Sequence, residues 1–68
     1  MLTLREWRNA KEISQQKMAD SCGIHVNTYI EWEKHPEKIP IGQAYVIALA
    51  IGVPLGDISF STNLQNVE

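Results

Sequence analysis

Cysteine is almost absent from this chain of 68 residues, in which Cys22 is the only one. A single cysteine excludes an internal disulfide framework, and free thiols are typical of proteins of the reducing cytosol. The sequence also lacks cysteine and histidine residues at the spacing of a zinc site. We therefore expect no metal and no other cofactor, and a core that depends on helix packing alone.

Long apolar segments are missing as well. No run approaches the length of about 18 apolar residues that a membrane-spanning helix needs, and the first residues do not follow the pattern of a signal peptide. We therefore expect a cytoplasmic protein that makes no membrane contact.

The combinations of residues that carry catalysis are also lacking. We find no glycine-rich phosphate loop, no metal-ligand spacing and no nucleophile paired with a base. We therefore expect that the protein is not an enzyme. Nothing in the chain resembles a sensor domain, so no small-molecule ligand is expected.

Basic residues are not in excess. Six lysines and arginines face eight acidic residues, which gives a net charge of −2 and an isoelectric point near 5.6. This balance argues against strong non-specific binding to nucleic acid, because the attraction of cations to phosphate drives most of that binding. The distribution of charge matters more than its sum. Lys17, Lys34 and Lys38 would form a weakly basic face if the fold brings them to one side.

The most informative stretch of the chain runs from residue 15 to residue 34, on both sides of Gly23. Apolar side chains recur there at helical spacing, namely Met18, Ala19 and Cys22 before the glycine and Tyr29 and Trp32 after it. Each half is too short to be a stable helix alone. Gly23 can adopt the positive φ angle that a tight reversal between two helices needs. The pattern is typical of a helix-turn-helix.

Local signals place further helices around this unit. Thr3 and Glu6 form a capping box at the first helix, Ser14 is the N-cap of the second, and Gly52 ends the fourth. The predicted helices span residues 3–11, 15–22, 26–35, 40–51 and 54–60. Residues 61–68 are polar, and we expect them to form a flexible tail.

Five ordered motifs carry a resemblance to a known family. They are L-x-x-W-R at residues 4–8, I-S-Q-x-x-M-A at 13–19, G-I-x-V-N-T-Y-I-E-W-E at 23–33, P-E-K-I-P-I at 36–41 and I-A-L-A-I-G-V at 47–53. The ordered set resembles the Cro/CI-type (lambda-repressor-like) DNA-binding proteins, and especially their short phage and prophage members. The resemblance implies an all-α fold, a compact five-helix bundle that contains a helix-turn-helix in residues 1–60.

The resemblance also implies a set of DNA contacts. Helix three would enter the major groove, and helix two would cross the DNA backbone. The residues marked in this way are Gln15, Gln16, Lys17, His25, Val26, Asn27, Thr28, Ile30, Glu31, Lys34 and Lys38.

The predicted outer face of helix three has side chains suited to base contacts. Asn27, Ile30, Glu31 and Lys34 follow one another at helical spacing. An amide can bind adenine, a carboxylate can accept from cytosine, and an apolar group can contact the methyl group of thymine. The plainer alternative is an ordinary solvated face with one isoleucine. Solvated surface side chains are likewise the alternative for Gln15, His25, Lys34 and Lys38.

Two positions next to the ends of helices, Glu12 and His25, depart from the family pattern. Glu12 stands where the family usually has glycine, so the family geometry would hold Glu12 in a left-handed conformation at a cost on the order of 1 kcal/mol. His25 stands where the family prefers serine or threonine as the N-cap of helix three. We expect this histidine to weaken the start of the recognition helix.

Two pairs of residues carry structural predictions. The resemblance implies a buried ion pair between Arg8 and Glu33, since an unpaired buried charge is costly. Val46 and Leu49 lie away from the apolar stripe of helix four, where the family usually has polar residues. They are a candidate surface for a homodimer.

The function expected from the whole sequence is sequence-specific binding of double-stranded DNA by a small transcriptional regulator, a phage or prophage repressor that binds its operator as a dimer. The alternative is a protein-interaction module, such as an antirepressor, that keeps the fold but not the affinity for DNA. The negative net charge, Glu31 and the pair of Val46 and Leu49 favour this alternative.

Overall fold

Helices account for most of the computed structural model, which describes residues 2–60. Within these residues the α-helices are Leu4–Ala10 (α1), Gln15–Cys22 (α2), Val26–Lys34 (α3) and Ile41–Ile51 (α4). The predicted bounds of α2 are those observed, and the other three helices are one or two residues shorter than expected. The predicted tail, residues 61–68, lies outside the described residues.

The prediction of a fifth helix was wrong. Leu55–Asp57 forms a single 3-10 turn, as does Pro36–Lys38 earlier in the chain. The segment is too short to propagate a helix, and it contains a glycine. The fold is therefore mostly helical, with four α-helices in residues 2–60.

The chain continues from this turn into a short strand, so the fold is not purely α-helical. Ile58–Ser59 (β2) pairs in parallel with Leu2–Thr3 (β1), and Leu2 lies opposite Ile58. The pairing gives backbone groups at both ends of the domain hydrogen-bond partners. It also brings the start of α1 next to the end of the described chain.

Side-chain caps fix where the first two helices begin. The Thr3 hydroxyl oxygen accepts a hydrogen bond from the Glu6 N–H at 3.2 Å, and the Glu6 carboxylate accepts one from the Thr3 N–H at 2.8 Å. The Ser14 hydroxyl oxygen accepts from the Lys17 N–H at 3.0 Å. These bonds satisfy N–H groups that the first turn of a helix leaves unpaired.

Two residues with positive φ end the first two helices. Gly23 has φ 69° and ends α2, and the following Ile24 N–H donates to the Ala19 carbonyl at 3.0 Å. Glu12 follows α1 with φ 58°. Glycine adopts this conformation without strain, whereas a glutamate in it loses about 1–2 kcal/mol.

We expect Glu12→Gly to raise the free energy of unfolding by about 0.5–1 kcal/mol, because relief of strain exceeds the added entropy of the unfolded chain. Gly23→Ala is the matched control. A Cβ at residue 23 would meet no atom within 4 Å, so its cost of about 1 kcal/mol is conformational. Urea denaturation followed by circular dichroism measures both. An unchanged or lower stability of Glu12→Gly would contradict the assignment of strain to this residue.

The largest fully buried side chains come one from each α-helix, namely Leu4, Met18, Tyr29 and Ile47. α2 packs against both α3 and α4. α2 therefore lies at the centre of the domain, and its contacts set the orientation of α3.

Two side-chain hydrogen bonds join elements that are distant in sequence. The Trp7 indole N–H donates to the Asp57 carbonyl at 2.9 Å, which ties α1 to the second 3-10 turn. The Gln43 amide nitrogen donates to the Cys22 carbonyl at 3.3 Å, which ties α4 to the end of α2. Burial raises the pKa of the Cys22 thiol and keeps it in its unreactive form.

Val46 and Leu49, the residues of the candidate homodimer surface, differ in exposure. Val46 is half-buried and packs against the core, because its position on α4 lies at the edge of the buried face. Leu49 is 82% exposed. The exposed apolar surface of α4 therefore contains Leu49 without Val46.

Neither a membrane-spanning segment nor a metal cluster is found in the described part of the chain. None of its helices has the length and apolar character needed to cross a bilayer. Residues 2–60 also contain no group of three histidine, cysteine, aspartate or glutamate side chains placed to hold a metal ion.

Candidate nucleic-acid interface

A buried ion pair joins α1 to α3. Arg8 Nε lies 2.5 Å from Glu33 Oε2, and the two side chains are 11% and 4% exposed. The Arg8 guanidinium also donates to the Ile13 carbonyl at 2.8 Å, just before α2. One arginine therefore connects the two helices and the loop that separates α1 from α2.

Gln15 completes this junction from the first residue of α2. Its side-chain amide donates to Glu33 Oε1 at 3.0 Å, and the residue is half-buried. The sequence places Gln15 at an exposed helix terminus, free to contact DNA or water. The structure shows instead an amide nitrogen that holds α2 to α3.

Burial and hydrogen bonding act in opposite directions on Glu33. Burial alone would raise the pKa of the Glu33 carboxyl, but hydrogen bonds to neighbours led by Arg8 outweigh it and lower the pKa. The buried Tyr29 hydroxyl has no hydrogen-bond partner within residues 2–60. Burial, and then the neighbouring Glu33, raise the pKa of Tyr29. Glu33 is therefore charged and Tyr29 neutral at pH 7, with α3 held firmly against α1 and α2.

The outer face of α3 is less uniform than its spacing predicts. Asn27, Thr28 and Lys34 are exposed, whereas Val26, Ile30 and Glu31 are half-buried. The expected stripe of Asn27, Ile30, Glu31 and Lys34 is therefore divided. Its polar ends face solvent, and Ile30 lines a cleft beside the helix.

This cleft has a volume of 440 Å³ and lies among α1, the first residue of α2 and α3. It is lined by Arg5, Arg8, Asn9, Gln15, Ile30, Glu33 and Lys34. Three cationic side chains face one carboxylate, and that carboxylate is already paired with Arg8. The cleft is therefore electropositive, although the chain as a whole is acidic.

Arg5 and Asn9 are the cleft residues outside the DNA-contact set and the ion pair predicted from the sequence. The sequence contains a pattern that could have indicated them. Arg5, Arg8 and Asn9 follow the helical spacing i, i+3 and i+4 and therefore share one face of α1. The proximity of Arg5 to Lys34, 29 residues later in the chain, depends on the tertiary fold. The cleft brings together three basic side chains, those of Arg5, Arg8 and Lys34.

A second group of charges surrounds Glu31, near the end of α3. Its carboxylate lies 3.5 Å from Lys38 Nζ and 3.5 Å from His35 Nε2, while His35 Nδ1 lies 3.6 Å from Glu37. The sequence predicts Lys38 as a phosphate contact and Glu31 as a base contact. In the structure the two side chains lie against each other, so Lys38 offsets the charge of Glu31.

His25 caps α3 with its side chain. Its Nδ1 atom accepts a hydrogen bond from the Asn27 N–H at 3.1 Å. A neutral imidazole has one acceptor nitrogen, which can replace the hydroxyl oxygen of serine or threonine at this position. The cap fixes the start of α3, where the Asn27 side chain is exposed to solvent.

The remaining predicted contacts lie on the outside of α2. Gln16 and Lys17 are both exposed, and the Gln16 amide donates to the Asp20 carboxylate at 2.9 Å. They follow Gln15 in the first turn of α2, and of these three residues Gln15 lines the cleft.

Comparisons with known proteins agree with this geometry. A family model described as helix-turn-helix matches residues 4–58. Comparisons with curated proteins and with solved structures found no match. The matched family consists of DNA-binding transcriptional regulators that are generally non-enzymatic. The match includes the four α-helices and both sides of the cleft, and the chain therefore belongs to the Cro/CI-type helix-turn-helix family.

Proposed function

We propose that this protein is a sequence-specific repressor of phage or prophage type that inserts α3 into the major groove of its operator. The observation that carries the proposal is an exposed polar end of α3 beside an electropositive cleft. The buried Arg8–Glu33 pair holds the two in one rigid unit. Rigid placement matters because base contacts require side chains to be positioned within a fraction of an ångström.

Base contacts would come from the exposed and half-buried residues of α3. Asn27 can form two hydrogen bonds with adenine, and Glu31 can accept one from cytosine. A carboxylate near the phosphates would ordinarily repel them, but Lys38 and His35 adjoin Glu31. These neighbours allow a carboxylate in the groove. Val26, Thr28 and Ile30 would add apolar and hydroxyl contacts.

Phosphate contacts would come from the cleft and the first turn of α2. Arg5 and Lys34 bring charge to the cleft without an acidic partner of their own among the contacts of residues 2–60. Gln16 and Lys17, which are exposed in the first turn of α2, would add further contacts. Such contacts position a protein on DNA and contribute affinity for all sequences.

The proposed mechanism of repression is steric. Two copies of the domain, residues 1–60, would occupy two half-sites about 34 Å apart in the cytoplasm and exclude other proteins from the operator. The domain needs no cofactor and no small-molecule ligand for this role.

A protein-interaction module is the second candidate function. The net charge of −2 favours it. The pairing of Lys38 with Glu31 also favours it, because a lysine paired with a carboxylate is less available to bind a phosphate. Such a module would bind a protein partner through α3 and would prefer no duplex sequence.

Selection of bound sequences from random duplex DNA tests the proposal. The wild-type chain should enrich one motif, and two copies of it at fixed spacing if the protein binds as a dimer. Glu31→Gln should enrich a motif that differs at one position of each half-site, because an amide no longer prefers the same base edge. It should also raise overall affinity, since a negative charge near phosphate is removed. Absence of any enriched motif would favour the interaction module.

A further inference from the structure

A lysine and a histidine contact the same oxygen of Glu31, near the end of α3. Lys38 Nζ and His35 Nε2 each lie 3.5 Å from the Glu31 carboxylate, and for both the nearest oxygen is Oε2. The Glu31 side chain is 47% exposed, so a donor outside the domain can also reach it. The contacts of Oε2 therefore leave Oε1 as the acceptor for such a donor.

The backbone that follows α3 sets these contacts. The His35 N–H donates to the Glu31 carbonyl at 2.8 Å, and the Lys38 N–H donates to the His35 carbonyl at 2.9 Å. Pro36 lies between them with its fixed φ angle and starts the 3-10 turn. Main-chain hydrogen bonds therefore bring Lys38 within reach of Glu31, although the lysine side chain itself is 58% exposed.

His35 lies between two carboxylates. Its Nε2 atom is 3.5 Å from Glu31 and its Nδ1 atom is 3.6 Å from Glu37. Within residues 2–60 these are the charged groups at ion-pair distance from His35, and Lys38 shares Glu31 with it. A neutral imidazole has one N–H, whereas the protonated ring has two and a positive charge. Proton uptake, which occurs in histidine between about pH 5 and 8, therefore strengthens the hold on Glu31.

We propose that Lys38 and His35 are positioning residues that restrain the Glu31 carboxylate so that Oε1 accepts a hydrogen bond from one cytosine of the operator. An unrestrained glutamate on a helix surface exchanges among several rotamers, and a base contact discriminates only when its side chain is placed accurately. Lys38 thus acts on a base through Glu31. This role rests on the proposed function, because it concerns a base contact of α3.

NMR of the full chain without DNA tests the restraint by itself. Between about pH 8 and pH 5 the carboxyl signal of Glu31 should respond to proton uptake by His35, and His35→Gln should abolish that response. The carboxyl signal of Glu12, an exposed residue after α1, is the internal control and should be the same in both proteins. A Glu31 signal that changes equally in the wild type and in His35→Gln would overturn the restraint by His35.

The affinity for the selected operator, divided by that for a duplex changed at the base pair assigned to Glu31, tests the effect on recognition. Lys38→Ala should lower this ratio about two- to fivefold, the effect of losing an exposed ion pair, and Lys38→Arg should retain it. When Glu31→Gln is already present, Lys38→Ala should leave the ratio unchanged. Lys11→Ala, which removes another exposed lysine, is the matched control and should also leave it unchanged.

The same ratio should depend on pH in the wild type. It should be higher at about pH 6 than at about pH 8, because the protonated His35 holds Glu31 more firmly. His35→Gln should show equal ratios at both pH values. Protonation of His25 is common to the two proteins and cancels in this comparison.

A phosphate contact by Lys38 would give a different result. Lys38→Ala would then weaken the complexes with both duplexes equally and reduce the slope of affinity against salt by about 1. An unchanged ratio in Lys38→Ala would overturn the positioning role and leave the proposed function intact. A wild type that prefers no duplex over random DNA would contradict the proposed function itself, and this use of Glu31 with it.

Discussion

Replacing Arg8 with alanine should lower the free energy of unfolding by about 3–5 kcal/mol, the range for removing one partner of a buried ion pair. Glu33 would remain 4% exposed without its cation, and the Ile13 carbonyl would lose its donor. For a domain of this size the loss approaches the whole stability of about 5 kcal/mol. Urea denaturation should therefore show a much lower midpoint than that of the wild type.

Arg5→Ala is the matched control for this prediction. Arg5 lies one turn earlier on α1 and is exposed, so its removal should cost less than about 0.5 kcal/mol. Combining Arg8→Ala with Glu33→Gln should cost less than the sum of the two single changes, because the second change removes the charge that the first leaves unpaired. Equal costs for Arg8→Ala and Arg5→Ala would show that the pair does not hold the domain together.

The same pair makes stability depend on acid. The pKa of Glu33 is lowered in the folded state, so its contribution is fully present above the ordinary glutamate pKa of about 4.3. It is lost as pH falls through the lowered pKa, where the folded carboxylate takes up a proton. The difference in unfolding free energy between the wild type and Glu33→Gln should therefore be constant near neutral pH and shrink in acid. A difference that grows on acidification would contradict this assignment.

Replacing Asn27 with alanine should weaken binding to the selected operator by about ten- to a hundredfold, the effect of losing one base contact of 1–3 kcal/mol. Asn27 is exposed, and its N–H donates to the His25 cap. Its loss would remove the two hydrogen bonds proposed with adenine without altering a buried contact. Preference should relax at one position of each half-site, and competition with single-base operator variants would identify that position.

Arg5→Ala is also the control here, because it should act on phosphates rather than on bases. It should weaken binding to all duplexes about equally and reduce the slope of affinity against salt by about 1. If Asn27→Ala instead weakened all sequences equally, α3 would contact the backbone alone. The assignment of α3 to the major groove would then fail.

Elements governed by neighbouring residues were predictable from the sequence. Ser14 and Gly23 mark the two ends of α2, and both ends are where these residues predict them. The missing fifth helix shows the limit of such signals. Whether residues 58–59 join a helix or a strand depends on Leu2–Thr3, more than 50 residues away, which no local pattern contains.

Those features of the candidate site that depend on a single helix were predictable from the sequence. The exposure of Asn27 and Lys34 follows from helical spacing alone. Arg5 enters the cleft only because α1 packs beside α3, and Lys38 lies against Glu31 only because a 3-10 turn reverses the chain. Sequence spacing gives no distance between side chains on different elements.

The affinity of the protein for its selected operator relative to random duplex DNA is the most direct test of its function. Fluorescence anisotropy titrations of both duplexes, at two salt concentrations, give this ratio. A sequence-specific regulator should prefer the operator by a factor on the order of 1,000 or more, and the preference should persist when higher salt weakens both complexes. A ratio below about tenfold at both salt concentrations would contradict sequence-specific binding by this chain.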